Sequence, residues 1–296
     1  MNLDDIIGQS QVVDTIKIIV KSRKQQGKEF PHSIITGAPG HGKSTLAKCI
    51  ANQFDGCRFT QIDATHIGTQ VDKLAMQLID WEDDSRYNIY FIDEVHALKR
   101  QIQESLYIAM EQGIIGVDPT PMGKFTLIAA TTESVTKPLL DRFQHHFQLA
   151  HYGEKEIAKI LSDLTTMVDV NYLAKFSRMN PRIAKNHLAW LQDYNVGHAN
   201  VKFMCEKTVQ AAMKQKGNLV NGITQDDVDY LKFLHSQSVN GRTVGLENIA
   251  VGTGLSKKVI TDVIEPFLIK LGYVSRLSRG RALNMRMSRE WKELIK

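Results

Sequence analysis

Between Ile34 and about Leu149, short unbroken apolar runs alternate with amphipathic stretches. Ser33-Ile34-Ile35-Thr36, Asn88-Ile89-Tyr90-Phe91-Ile92 and the run from Lys124 to Ala130 read as strands. Strands without polar alternation are those covered on both faces. Ser44 to Asn52, with Leu46, Ala47 and Ile50 inward, reads as a helix, as does the stretch from about Gln101 to Glu111. Strands separated by helices predict a parallel sheet flanked by helices, an α/β domain.

After Tyr152 the pattern turns wholly helical. Glu154 to Leu164, Val170 to Arg178 and Arg182 to Gln192 are amphipathic with no strand between them, which predicts a small helical lid. Lys216-Gly217-Asn218 and Asn221-Gly222 form a turn-rich break. Helices follow from Thr224 to Ser236, near Leu246 to Val251, and from Ser256 to Leu271. Two strands around a basic turn, Gly272 to Arg276 and Ala282 to Met285, complete the outline of a winged helix-turn-helix. The expected domains are residues 1–150, 151–219 and 220–296.

Composition agrees with this division. A chain of 296 residues suits two or three cores. With 43% hydrophobic and 23% charged residues and only 7 prolines, it is expected to fold throughout. Cys49, Cys57 and Cys205 lack CxxC spacing, which argues for reduced thiols rather than disulfides or zinc. The acidic start Met1-Asn2-Leu3-Asp4-Asp5 has no leader character, and no apolar run approaches the roughly 18 residues of a membrane span. A cytoplasmic protein with no membrane partner is expected.

The chemistry begins at Gly37-Ala38-Pro39-Gly40-His41-Gly42-Lys43-Ser44, a full GxxxxGK[ST] between a predicted strand and a predicted helix. Gly40 and Gly42 let backbone N–H groups wrap phosphates, Lys43 reaches the β- and γ-phosphates, and the Ser44 hydroxyl can ligate Mg²⁺. ATP and Mg²⁺ are the implied cofactors. Fifty residues beyond Lys43 a buried strand ends in Asp93-Glu94. Asp93 suits the metal and Glu94 suits the base that activates water.

Thr131 and Thr132 end the next strand, where a hydroxyl would lie beside Glu94 and position the water. Taken alone they serve equally well as a helix cap. Arg142, in Asp141-Arg142-Phe143, has no obvious partner within the chain; it suits either a surface ion pair or an arginine finger reaching a neighbour's γ-phosphate. Asn180-Pro181-Arg182 opens a helix that would bring Arg182 over the phosphates.

Charge is concentrated at the end. Residues 270–296 carry eight cations against two carboxylates, a net +6 where the whole chain has +5. Arg276, Arg279 and Arg281 on a wing can contact phosphates, although a basic hairpin by itself is often only a solvated surface. Bidentate base-reading side chains are scarce between Ser256 and Leu271, so DNA binding should be phosphate-dominated with little sequence preference.

With these residues placed, the chain resembles the RuvB family, hexameric AAA-type ATPases that drive Holliday junction branch migration. The likeness runs collinearly through Leu3 to Gln9, the P-loop, Phe91 to Leu98, Glu104 to Glu111, Phe125 to Thr132, Asp141-Arg142-Phe143 and Pro181 to Ala184. Its most distinctive part is Val244-Gly245-Leu246, Val263 to Ile269 and Arg276-Leu277-Ser278-Arg279-Gly280-Arg281. The resemblance implies that Ile6 and Ile7 border the adenine and that Tyr152 packs on the nucleotide. Gly42, Lys43, Ser44 and Thr45 would hold the phosphates. It also implies a trans finger at Arg142, a lid sensor at Arg182, and DNA contacts at Lys257, Arg276 and Arg281. The family's β-hairpin for docking on RuvA is reduced here to Glu111 to Lys124, broken by Pro119 and Pro121, which argues against a RuvA partner. That loss leaves a second reading open, a switch resembling clamp-loader and helicase-loader ATPases.

Overall fold

The computed structural model describes residues 1–68, 70–79, 86–219, 221–237 and 243–284. Two compact units emerge, Met1–Ile160 with Asn180–Arg182, and Leu161–Met179 with Ile183–Lys296.

In the first unit a turn at Leu3–Asp5 leads into α1 (Ser10–Gln26), β1 (Ser33–Thr36), α2 (Lys43–Ala51), β2 (Arg58–Asp63) and α3 (Val71–Leu78). β3 (Asn88–Asp93), α4 (Arg100–Gln112), β4 (Ile114–Ile115), β5 (Thr120–Pro121) and β6 (Phe125–Thr131) follow. The unit closes with α5 (Lys137–Leu140), β7 (His145–Gln148) and α6 (Glu154–Ser162), which runs across the division at residue 160.

β2-β3-β6-β1-β7 form one sheet, parallel throughout. The pleat sends alternate side chains to opposite faces. Ile34, Tyr90, Ile92, Leu127 and Ala129 pack with α3 and α4 residues such as Leu74, Ile102 and Leu106. Ile35, Ile89, Phe91, Ile128 and Ala130 pack with Ile16, Val20, Leu46 and Ile50 of α1 and α2. The three expected strands are therefore the three inner ones. Both edge strands escape the hydrophobic pattern: β2 is Arg-Phe-Thr-Gln-Ile-Asp and β7 is His-His-Phe-Gln. An edge strand has fewer apolar neighbours to demand apolar side chains.

Between α4 and β6 the hairpin, expected in reduced form, is short, with two residues in each strand. Ile114 pairs with Pro121 and Ile115 with Thr120. Pro121 tolerates this because the strand is only two residues long and lies at an edge.

The second unit carries α7 (Val170–Ala174), α8 (Pro181–Tyr194), a π turn at Asn195–Ala199 and α9 (Glu206–Gln215), a helix absent from the sequence reading. α7 stops well short of Arg178, where the backbone turns left-handed at Arg178 (φ 51°) and Met179 (φ 60°). The Arg178 guanidinium explains the turn. It donates to both carboxylate oxygens of the fully buried Asp227, at 2.8 and 3.1 Å, and to Val263 O at 2.8 Å, and lies over the Phe267 ring.

α10 (Gln225–Gln237), α11 (Leu246–Thr253), α12 (Lys257–Val259), a π segment at Ile260–Ile264 and α13 (Glu265–Lys270) precede β8 (Val274–Leu277) and β9 (Gly280–Leu283). The π segment sits just ahead of Pro266, whose ring and missing N–H cannot continue a regular α ladder. β8 and β9 are antiparallel, and Val244 adds an antiparallel bridge to Arg281. Helices and hairpin enclose Tyr230, Leu231, Leu234, Ile249, Ile260, Ile264 and Leu268. The winged-helix outline holds. Gly252 marks its tightest crossing, since a Cβ there would collide with the Phe233 ring. The expected strand residue Met285 and the cations at 286, 289, 292 and 296 lie outside the described residues. None of the described helices is long and apolar enough to cross a membrane.

Two histidines give the fold a pH signature. Burial lowers His32, which accepts Leu127 N–H at Nδ1, and also His187, each to about 4. The unfolded chain, with histidines near 6.5, takes up protons first as pH falls. Stability from these groups is thus complete above pH 6.5 and lost progressively toward pH 4. Denaturant unfolding across that window should show the decline, and His32→Asn, which keeps an acceptor for Leu127 N–H, should make it shallower by about one proton.

Candidate nucleotide site and nucleic-acid interface

The sheet register assembles the site. β1 and β6 align Thr36 with Thr131, and β6 and β3 align Ala129 with Ile92. The P-loop after β1, the acids after β3 and the threonines after β6 therefore leave the sheet at one edge, where ligands bind in parallel α/β sheets.

Gly40 (φ 81°) and Gly42 (φ 92°) take the left-handed turns that curl the loop. Lys43 begins α2 with its ammonium buried, donating to Gly37 O at 2.8 Å and Ala38 O at 3.3 Å. Burial lowers its pKa, opposed by Glu94 and Asp93, while Arg182 adds to the lowering. Asp93 is raised by burial and by Glu94. Two carboxylates drawn partly out of water beside a loop built for phosphates form a setting that a divalent cation would relieve. Ser44 is half-buried beside Lys43, and Thr45 is exposed on the next residue. Among the described residues no cluster of three or more His, Cys, Asp and Glu offers a closed metal cage.

Glu94 is left-handed (φ 52°, ψ 47°), a conformation costing a non-glycine residue about 1–3 kcal/mol and characteristic of functional sites. The Thr132 hydroxyl donates to Glu94 Oε2 at 2.9 Å, the juxtaposition expected from sequence. His96, one turn further, brings Nδ1 to 3.0 Å from Thr131 Oγ1 and 3.3 Å from Glu94 Oε2.

The residues expected to border a base converge as well. Gln9 is buried and exchanges two hydrogen bonds with the Ala150 backbone, both 2.9 Å. This holds the half-buried Ile6 and Ile7 near the chain that carries Tyr152. Tyr152 is buried, and its hydroxyl donates to His41 O at 3.2 Å, with the His41 ring edge-on at 5.8 Å. Asn180 Nδ2 donates to Pro39 O at 2.8 Å, and its Oδ1 accepts Arg182 N–H at 2.9 Å. Arg182 Cβ lies so near Gly40 that a Cβ on the glycine would stand 2.8 Å from it. The sequence reading missed Asn180 and Gln9 as site residues. Asn180 before Pro181 is legible as a helix start. Gln9 has no local signal, its partner being 141 residues away.

Of the two readings open for Arg142, the structure shows the surface ion pair: it pairs with Glu111 and lies over the Tyr107 ring, which sit one turn apart on α4. One expectation needs correction. Arg281 does not face solvent for DNA. It is buried, donating from Nε to Glu265 Oε1 at 2.6 Å and from Nη2 to Oε2 at 3.2 Å, while the Tyr230 hydroxyl also donates to Oε1 at 3.2 Å. The nearly inaccessible Glu265 draws the cation inward, because a buried carboxylate must be paired. Arg276 and Arg279 are exposed on the wing. Lys257 is exposed and paired with Glu247 at 2.5 Å.

Fold and site thus define a P-loop ATPase module followed by a winged helix. A family model for the Holliday junction DNA helicase RuvB P-loop domain matches residues 1–149, and one for the RuvB C-terminal winged helix domain matches residues 220–286. The chain belongs to the RuvB family. It is 34% identical over 302 residues to the Holliday junction branch migration complex subunit RuvB of Nitratiruptor, covering 96% of this chain and 88% of that protein. Identity to the subunit of the same name from Rubrobacter xylanophilus is 32%, covering 94% and 82%. The solved structure of the Thermotoga maritima RuvB Holliday junction branch migration motor superposes with a TM-score of 0.81 at 27% identity, covering 99% and 96%.

Gly40→Ala should abolish nucleotide binding in a fluorescent-nucleotide titration, because the new Cβ would stand 2.6 Å from Asn180 Oδ1 at a positive φ. Arg281→Ala should destabilise the protein by about 3–5 kcal/mol in denaturant unfolding, as expected when a buried pair loses one member. Arg279→Ala should leave stability within about 0.5 kcal/mol, as exposed substitutions do.

Proposed function

We propose that this protein is an ATP-driven motor that moves the branch point of Holliday junctions. The observation that carries the proposal is the convergence of Lys43, Asp93, Glu94, Thr132 and Arg182 at one sheet edge, in a chain that also carries a winged helix with exposed arginines. Membership of the RuvB family supports it over a clamp-loader or helicase-loader switch. The working parts are residues 1–150 as the ATPase, 151–219 as a helical lid and 220–296 as the DNA-binding domain, acting in the cytoplasm.

In this reading Ile6, Ile7 and Tyr152 border the base. Gly40, Gly42, Lys43, Ser44 and Thr45 hold the phosphates, and Arg182 covers them from the lid helix. Ser44 and Asp93 would hold Mg²⁺, which supplies charge neutralisation on the phosphates when bound. Glu94 takes a proton from water as the water oxygen attacks the γ-phosphorus, and the bond to the β–γ bridging oxygen breaks to release ADP. Thr132 orients that carboxylate. Copies of the chain form a ring, a hexamer, in which Arg142 leaves Glu111 to reach the neighbour's γ-phosphate. Arg276, Arg279 and Lys257 grip DNA phosphates without reading sequence. The stub of β4 and β5 offers little for a docking arm, so RuvA is not proposed as the partner.

Glu94→Gln should retain ATP binding and lose turnover by about 10²–10⁴-fold, the usual worth of a general base. Lys43→Ala should abolish junction migration; migration by that variant, or none by the wild-type chain with any partner, overturns the motor reading. Arg276→Ala and Arg279→Ala should each lower the slope of log affinity against log salt by about one.

A further inference from the structure

We propose that His96 is a positioning residue for ATP hydrolysis: its ring, fixed by Nδ1–H on Thr131, sets a positive edge beside Oε2 of Glu94, the oxygen that the Thr132 hydroxyl binds, and leaves Oε1 as the oxygen that takes the proton from water. The inference rests on Glu94 being the base.

Hydrogen counting carries it. The Thr131 hydroxyl has one proton, and it donates that proton to Glu133 O at 2.8 Å. Towards Glu133 N–H, at 3.1 Å, and towards His96 Nδ1, at 3.0 Å, Thr131 Oγ1 can only accept. Nδ1 must therefore bear hydrogen whether the ring is neutral or charged. The same Nδ1 stands 3.3 Å from Glu94 Oε2, an ion-pair distance rather than a hydrogen bond, so the N–H that binds Thr131 sets its positive edge beside the carboxylate. Thr132 Oγ1 approaches the same oxygen at 2.9 Å. The Thr132 hydroxyl thus holds Oε2 from the end of β6, and the His96 ring lies against the same oxygen from the turn after β3. No described donor is recorded on Oε1.

The arrangement suits a carboxylate that must keep one aim. Glu94 is only a third exposed at its side chain, and its backbone is left-handed, so its direction is set from both ends. His96 itself is mostly covered, with Nε2 3.8 Å from Glu133 Oε1, too far for a hydrogen bond. Its closest polar contacts therefore run through Nδ1. The imidazole links Thr131 on one strand to the base on the neighbouring one, a role an apolar side chain cannot fill.

The test compares His96→Ala with His96→Asn, whose amide nitrogen can occupy the place of Nδ1, in the full chain with Mg²⁺-ATP. Saturated turnover, fluorescent ATP-analogue affinity and melting temperature are measured together. Turnover should fall about tenfold or more in His96→Ala, as small misplacements of reacting groups produce, with affinity within about twofold. His96→Asn should recover most of it. In a Glu94→Gln background, His96→Ala should cost nothing further. The proposal is overturned if His96→Ala turns over as the wild type does, if both variants fall alike at unchanged melting temperature, or if the loss appears in affinity. Wild-type turnover by Glu94→Gln overturns the base assignment and this role with it. A silent His96→Ala beside an inactive Glu94→Gln overturns the His96 role alone.

Discussion

Parallel pairing of β1, β6 and β3 is the constraint on which the site depends. In a parallel sheet all carboxyl ends lie on one side, so each strand delivers the residues that follow it to the same edge. Here those are the P-loop, Thr131 with Thr132, and Asp93 with Glu94. The pairing is secured by side chains that are nearly inaccessible on both faces, including Ile35, Ile89, Phe91, Ile92, Ile128 and Ala129. A one-residue slip would exchange the two faces along a whole strand and carry its functional residues out of line. Catalytic geometry and core packing are therefore one requirement.

The second unit is organised by buried charge. Asp227 binds Arg178 and also accepts from Thr224 N and Oγ1 at the start of α10, while Glu265 binds Arg281 and Tyr230. Each carboxylate ties its helix to another segment: Asp227 joins α10 to the end of the chain leading from α7, and Glu265 joins α13 to β9. Arginines among wing residues thus divide into two kinds. Arg276 and Arg279 stay in water and available to phosphates, whereas Arg281 fastens the wing to the helices. Losing it would disturb DNA binding through the wing's shape rather than through a missing contact.

Much of this was legible along the chain, and the successes share a property. The P-loop, the Asp93-Glu94 end of a buried strand, the three inner strands and the helix order of the winged domain are all written in contiguous residues. Their spacing carries the chemistry by itself. Failures arose where the partner is distant or the local pattern is mute. β2 and β7 are polar edge strands that pair only because an apolar neighbour offers its backbone. α7 ends early because Arg178 is drawn to Asp227, 49 residues away.

What the sequence determined unaided is the class of chemistry and the order of parts: a P-loop at Gly37 to Ser44, an acidic pair at Asp93-Glu94 closing a buried strand, and a basic wing. These follow from loop conformations and strand ends that neighbouring residues impose on one another. Tertiary structure alone decided which charges face water, which oxygen of Glu94 the Thr132 hydroxyl holds, and which histidine lies beside it. Burial beside Glu265 turned Arg281 inward, Glu111 claimed Arg142, and the alignment of β3 with β6 set His96 against Thr131. These outcomes depend on groups brought together by folding, whose approach no local pattern records.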